Sequence, residues 1–196
     1  MIPQSLSLHN FLSYGENVPT LDFSQFHVAC LSGDNGHGKS AMLDAITYAL
    51  WGEARKGQHE RKPDDGLLRI GASEMRVEFC FELDAQQFRV LRSYRKHRSR
   101  GSAQLDLQIY DIESQSYRSL SEGDSLTLTQ NRINQLLNLD YETFANSAFI
   151  VQGRADAFTE KNARQRKAIL SQILGLERYD RLQSLARTRF QDIDQR

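Results

Sequence analysis

The sequence predicts an α/β fold organised around a phosphate-binding loop, and three observations lead there. Gly33 to Ser40 reads GDNGHGKS, the G-x-x-x-x-G-K-[ST] pattern. An apolar run, Phe26 to Leu31, precedes it and reads as a buried strand, while Ala41 to Leu50 places Met42, Leu43, Ile46, Ala49 and Leu50 at helical spacing. From Glu74 the period changes to two, as in an antiparallel sheet.

Each position of the loop has a mechanical reason. Glycines permit positive φ, so successive N–H groups can turn inward around a phosphate, and the helix that follows adds its positive N-terminal end. Lys39 can then reach the β- and γ-phosphate oxygens, and the Ser40 hydroxyl can ligate Mg²⁺, a hard cation that prefers oxygen. The pattern alone is short. Its place between a strand-like and a helix-like run makes it specific, and a bare glycine-rich turn is the weaker reading.

Upstream, Ser5 to Phe11 and Thr20 to Phe23 alternate apolar with polar residues, so three strands are expected before the first helix. Residues 52–66 are polar and contain Pro63, which predicts an exposed loop. The segments MRVEFCFEL, QQFRVLRSY and SAQLDLQIYD form an expected meander, layered beside the sheet of the nucleotide loop. Helical spacing returns over Leu126 to Leu139 (Leu128, Ile133, Leu136, Leu137, Leu139) and continues through Tyr141 to Ala148. A short apolar strand, FIVQG, follows. From Asn162 onward the chain reads as helix, with Tyr179, Leu182, Ala186, Phe190 and Ile193 spaced as a seam. That seam fits the root of a coiled coil over 176–196, or the core-facing stripe of a surface helix.

Composition bounds the rest. The 196 residues carry 25 basic and 25 acidic side chains, so no global field demands an anionic partner. The two cysteines, Cys30 and Cys80, sit in apolar runs and are read as core residues in a reducing cytoplasm. No run approaches the roughly 18 apolar residues of a membrane span. The five histidines show no metal-ligand spacing. Between Arg89 and Arg100 there are six basic residues and no acid, with Arg92, Arg95, Lys96 and Arg98 at its centre. On a hairpin such a cluster can contact nucleic-acid phosphates, or it can be an ordinary solvated loop.

Several separated motifs also agree in order with one family. The loop has the form G-x-N-G-x-G-K-S, preceded by NFLSY and LDF and followed by AMLDAITYALWGEAR, LLRIGA, FANSAFIVQG and RQRKAILSQILGLERYDRL. Together these resemble the N-terminal part of SbcC, the SMC-like ATPase subunit of a double-strand-break repair nuclease complex. The resemblance implies the N-terminal lobe (1–175) of an ABC-type ATPase head with an antiparallel meander and the start of a coiled-coil helix. It implies ATP and Mg²⁺ as cofactors, with Asn35, Gly36, His37, Gly38, Lys39, Ser40 and Ala41 lining the triphosphate. Gln152 matches the Q-loop glutamine that would complete the Mg²⁺ shell with Ser40. Arg69, in LLRIGA, matches a segment near the base, although a plain surface arginine is an equal reading.

The implied partners are the chain's own C-terminal ATPase lobe, a second identical head joined on ATP, an SbcD-type nuclease and double-stranded DNA ends, in the cytoplasm at the nucleoid. Two positions depart from the family. Leu12 stands where relatives carry an arginine that reaches the nucleotide, and His37 replaces a small residue at a backbone-contact position. The segments LSEGDS and LQIYDIE mimic a signature loop and a Walker B strand, but in the wrong order and within a meander, so no catalytic base is read in this chain. Three other readings stand beside this one. They are another SMC-like head such as RecF, a nucleotide-sensing interaction module without turnover, and a P-loop kinase or GTPase, the last weakened by the absence of an N-K-x-D motif.

Overall fold

A computed structural model describes residues 1–54, 63–98, 101–121, 123, 125–147, 161–173 and 176–194. The chain divides into two compact units, Met1–Ile133 and Asn134–Arg196.

The first unit is built on one six-stranded antiparallel sheet of order β2-β1-β3-β4-β5-β6. Its strands are β1 (Ile2–His9), β2 (Leu21–Asp22), β3 (Glu74–Leu83), β4 (Gln86–Arg95), β5 (Ser102–Asp111) and β6 (Ser116–Ser119). The period-two segments therefore form the expected meander. It is not a separate layer, however, because β1 pairs directly with β3 and joins the N-terminal strands to the same sheet. The register of β1 slips between Pro3 and Ser5, a bulge where proline, which lacks an N–H, removes a ladder bond. Asp84 and Ala85, both at positive φ (52° and 61°), make the two-residue turn between β3 and β4. Positive φ at both central positions is the geometry that matches strand twist.

Alternation decides which face is covered. Met75, Val77, Phe79 and Phe81 of β3, with Phe88 and Val90 of β4 and Leu105 and Leu107 of β5, are buried. Helix α1 (Lys39–Trp51) packs on β3 and β4 and buries Ala41, Met42, Ala45, Tyr48, Ala49 and Leu50. Phe79, Phe81 and Phe88 form a stacked aromatic row, with centroids 5.6 and 5.7 Å apart. Each such side chain contributes about 1.5–3 kcal/mol by leaving water, so Phe79→Ala would cost about 3–5 kcal/mol once its cavity is included.

Three further expectations fail, the 26–31 strand, Cys30 as a core residue and a loop running on to residue 66. Residues 26–31 form no strand, and Phe26, Val28 and Leu31 are exposed, Val28 at 90%. A strand exists only through lateral hydrogen bonds, and none of the described strands lies beside this run. Apolar composition alone therefore does not make a strand here. Cys30 is consequently exposed and not in the core, while Cys80 is half-buried. Pro63 starts helix α2 (Pro63–Leu67), where its missing N–H is harmless at a first helical position.

Helix α3 (Leu126–Leu137) buries Thr129 and Ile133, four residues apart, and leaves Leu128 exposed, so its buried face is narrower than the leucines suggest. In the second unit, Asp140 caps α4 (Tyr141–Ser147) by accepting from the Thr143 N–H at 2.8 Å. Asn162 and Gln165 form a reciprocal capping box at α5 (Ala163–Ile173), at 2.9 and 3.2 Å. Helix α6 (Glu177–Asp194) exposes Tyr179, Leu182, Leu185 and Phe190. Among the described residues no helix is long and apolar enough to cross a membrane.

Candidate functional site

The loop adopts the conformation its glycines allow. Gly36 and Gly38 lie at φ 88° and 84°, a region that other residues enter only with strain. Gly38 is the N-cap of α1, and no acidic residue occupies the first turn. The positive end of a 13-residue helix therefore faces the loop without a carboxylate to neutralise it. Lys39 Nζ donates to the carbonyls of Gly33 (2.6 Å) and Asp34 (2.8 Å), which holds the ammonium over the loop. Asn35, Gly36 and His37 complete the loop between Asp34 and Gly38, and Ser40 and Ala41 begin the helix. These donors fit a polyphosphate, and the Ser40 hydroxyl is the oxygen ligand a divalent cation would take from the helix. Gln152 lies outside the described residues.

A second segment supports this loop. Residues 10–15, just after β1, turn sharply, with Asn10 and Leu12 at positive φ. Tyr14 Oη donates to the Gly38 carbonyl at 3.1 Å. The Ser13 hydroxyl lies 2.7 Å from where a Cβ on Gly38 would stand, so at φ 84° any larger residue is both strained and crowded there. Arg69 donates from its backbone to Asn10 O (2.9 Å) and from Nη1 to Ser13 O (2.5 Å). The structure thus places Arg69 against the 10–15 turn, with its guanidinium on Ser13 O. The sequence singles out Arg69 but gives no sign of Tyr14. Within NFLSYG that tyrosine is one motif residue among several, and its role depends on a contact 24 residues away.

The basic cluster does not act as one patch. Alternation along β4 sends Arg92 to the covered face, where it is 9% exposed and donates from Nε to Ala49 O (3.1 Å) and from Nη2 to Gln130 Oε1 (2.6 Å). Burial lowers its pKa, and Tyr48 and Asp64 oppose that shift. Arg92 is therefore removed from the expected DNA-contact set. Arg89 lies over the Tyr117 ring at 3.9 Å and bonds Gln108. Arg95 pairs with Glu74 at 2.7 Å on the exposed surface, Lys96 approaches Asp65 at 3.9 Å, and Arg98 follows them, exposed.

Two acids of α2 tie this region together. Tyr48 Oη donates to Asp64 Oδ1 at 2.9 Å, and Tyr94 Oη donates to Asp65 Oδ1. Burial, with the Asp64 carboxylate, pushes the Tyr48 hydroxyl far above its ordinary value; burial and the bond to Asp65 push Tyr94 up to about 12.

A glycine-bent loop, a lysine held over it and a helix whose N-terminus carries no acid define a phosphate-loop protein of mixed α/β fold. The chain belongs to the AAA domain family, which it matches over residues 5–195. It is 32% identical to the SbcC subunit of nuclease SbcCD from Deinococcus radiodurans, over 98% of this chain and 20% of that protein. It is 30% identical to the probable DNA double-strand break repair Rad50 ATPase of Aquifex aeolicus, over 99% of this chain and 18% of that protein. The SMC head domain from Thermotoga maritima superposes with a TM-score of 0.41 at 25% identity, covering 60% of this chain and 39% of that one. The resemblance to SbcC read from the motifs is thus borne out along nearly the whole chain. The chain spans about a fifth of the length of these two curated relatives.

Proposed function

We propose that this chain is the nucleotide-gripping lobe of an ATPase head that works at DNA double-strand breaks. What supports this is the loop itself, where Lys39 Nζ is held on the carbonyls of Gly33 and Asp34 and α1 begins with no acid in its first turn. Asn35, Gly36, His37, Gly38, Lys39, Ser40 and Ala41 would hold the triphosphate of ATP, with backbone N–H groups supplying most of the contacts. Ser40 and Gln152 would hold Mg²⁺, which neutralises phosphate charge when bound. Arg69 would join this set near the base, and its guanidinium bond to Ser13 O ties it to the turn that contacts Gly38.

On this reading residues 1–175 form the N-terminal lobe and residues 176–196 the root of a coiled coil. The exposed row Tyr179, Leu182, Leu185 and Phe190 on α6 supports the latter. Hydrolysis would need a C-terminal lobe and a second identical head, since no catalytic base is read in this chain. Head engagement on ATP would control access of an SbcD-type nuclease to a duplex end, in the cytoplasm at the nucleoid. DNA contact would fall to Arg95, Lys96 and Arg98. The test is phosphate release by the full-length protein that carries this chain, measured with and without linear duplex DNA. Turnover stimulated by DNA ends is expected. Nucleotide binding without turnover would instead support a sensing module.

A further inference from the structure

The carbonyl of Gly38 accepts two hydrogen bonds from different parts of the chain. Met42 N–H donates at 3.2 Å, which is the first bond of α1, and Tyr14 Oη donates at 3.1 Å from the 10–15 turn. That turn is itself held. Asn10 N–H bonds Gly15 O (3.0 Å), Tyr14 N–H bonds Phe11 O (2.9 Å), and Leu12 N–H bonds Leu67 O (2.7 Å). Arg69 closes it from the other side through Asn10 O and Ser13 O. The hydroxyl of Tyr14 thus comes from an anchored frame.

We infer that Tyr14 is a positioning residue for the phosphate-binding loop and that Arg69 anchors the turn that carries it. The inference rests on the nucleotide-binding reading above and adds how its donors are aimed. A trans peptide is planar, so the carbonyl of Gly38 and the N–H of Lys39 point in opposite directions in one plane. Pinning that carbonyl from outside the loop orients the Lys39 N–H toward the inside. Gly38 has no Cβ and lies at positive φ, so this peptide would otherwise swing more freely than one flanked by larger residues. Tyr14 adds a second restraint to the Met42 bond before an anion arrives, which lowers the ordering cost of binding.

The test uses the full chain, with Tyr14→Phe, Arg69→Ala and Arg69→Lys, and calorimetric titration with MgATP, MgADP and inorganic tripolyphosphate. Losing one aimed hydrogen bond in Tyr14→Phe should weaken all three ligands by a similar factor, about five-fold, with the thermal midpoint unchanged. Arg69→Ala should show the same ligand-independent loss, and Arg69→Lys, which keeps a donor for Ser13 O, should recover most of it. Faster hydrogen exchange at the Met42 amide in Tyr14→Phe would report the loosened cap directly. Wild-type binding with unchanged affinity in Tyr14→Phe overturns the inference alone. A loss seen with ATP but absent with tripolyphosphate also overturns it, because it would mean a contact to the base. Failure of the wild-type chain to bind any of the three overturns both the inference and the reading beneath it.

Discussion

Arg92 Nε lies 3.1 Å from the carbonyl of Ala49, so a strand of the meander places a buried guanidinium at the C-terminal end of the phosphate-loop helix. The neighbouring carbonyls are satisfied in the same place. Leu50 O accepts from Gln130 Nε2 at 2.8 Å, and Tyr48 O accepts from the Gly52 N–H at 2.8 Å. A cation at this end also complements the helix dipole. The helix is therefore held at both ends, by Tyr14 at its N-cap and by Arg92 and Gln130 at its last turn.

Arg92→Ala should destabilise the fold by about 3 kcal/mol, because it strips a buried donor from helix carbonyls and leaves a cavity. Arg95→Ala, which breaks an exposed ion pair with Glu74, should change stability by less than about 0.5 kcal/mol. Urea midpoints of the two variants provide the check. Equal effects would mean that Arg92 is not the structural member of the cluster.

Nucleic-acid affinity should divide the same residues in the opposite way. Charge reversal at Arg95, Lys96 and Arg98 should weaken duplex binding and reduce the slope of log K against log salt by about 0.9 for each phosphate no longer neutralised. Nucleotide affinity should not move. Duplex binding measured across a salt series decides it, and an unaltered slope would make the exposed cluster ordinary surface.

The two glycines of the loop can be told apart. A Cβ on Gly36 meets nothing within 4 Å, so Gly36→Ala costs only backbone strain at φ 88°, about 1–2 kcal/mol. Gly38→Ala adds, to strain at φ 84°, a contact with the Ser13 hydroxyl 2.7 Å away and with the Tyr14 ring at 3.4 Å, so the side chains of the 10–15 turn must shift. Gly38→Ala should therefore lose more MgATP affinity than Gly36→Ala. The reverse order in a titration would contradict the supporting role of residues 10–15.

Alkaline pH probes the two tyrosines bound to α2. Both hydroxyls have folded pKa values above the unfolded value of about 10, so their contribution to stability is fully present below that pH. It is lost as pH rises through the folded value, about 12 for Tyr94. Absorbance titration should show Tyr48 and Tyr94 ionising late, with Tyr117, which burial also pushes up to about 12, and together with unfolding. In Asp65→Asn, Tyr94 should ionise at lower pH. An unchanged curve there would remove Asp65 as a cause.

What the sequence reveals is whatever is local. The loop and its helix are legible because GDNGHGKS and the spacing from Met42 to Leu50 are set by neighbours along the chain. The meander is legible because alternation records a one-sided sheet. Residues 26–31 mislead because an apolar run says nothing of whether a hydrogen-bonding partner lies beside it, and Phe26, Val28 and Leu31 are exposed. Arg92 misleads for a subtler reason. The run of charges between Arg89 and Arg100 reads as one patch, although the period of two in this segment separates Arg92 from Arg89 and Arg95. The short strand β6 carries no apolar alternation to announce it. The bond from Tyr14 to Gly38 joins residues 24 positions apart and exists only in the fold.

If Gly33 to Ser40 binds a nucleoside triphosphate, Lys39 carries much of the affinity. Calorimetric titration of MgATP into the wild-type chain and into Lys39→Ala should show binding in the first. In the second, affinity should fall by about a hundred-fold or more, because charge-assisted bonds to phosphate are among the strongest available. The thermal midpoint should stay the same, since among the described residues Lys39 Nζ bonds to the carbonyls of Gly33 and Asp34 in its own loop. Equal affinity in the two proteins would contradict the account.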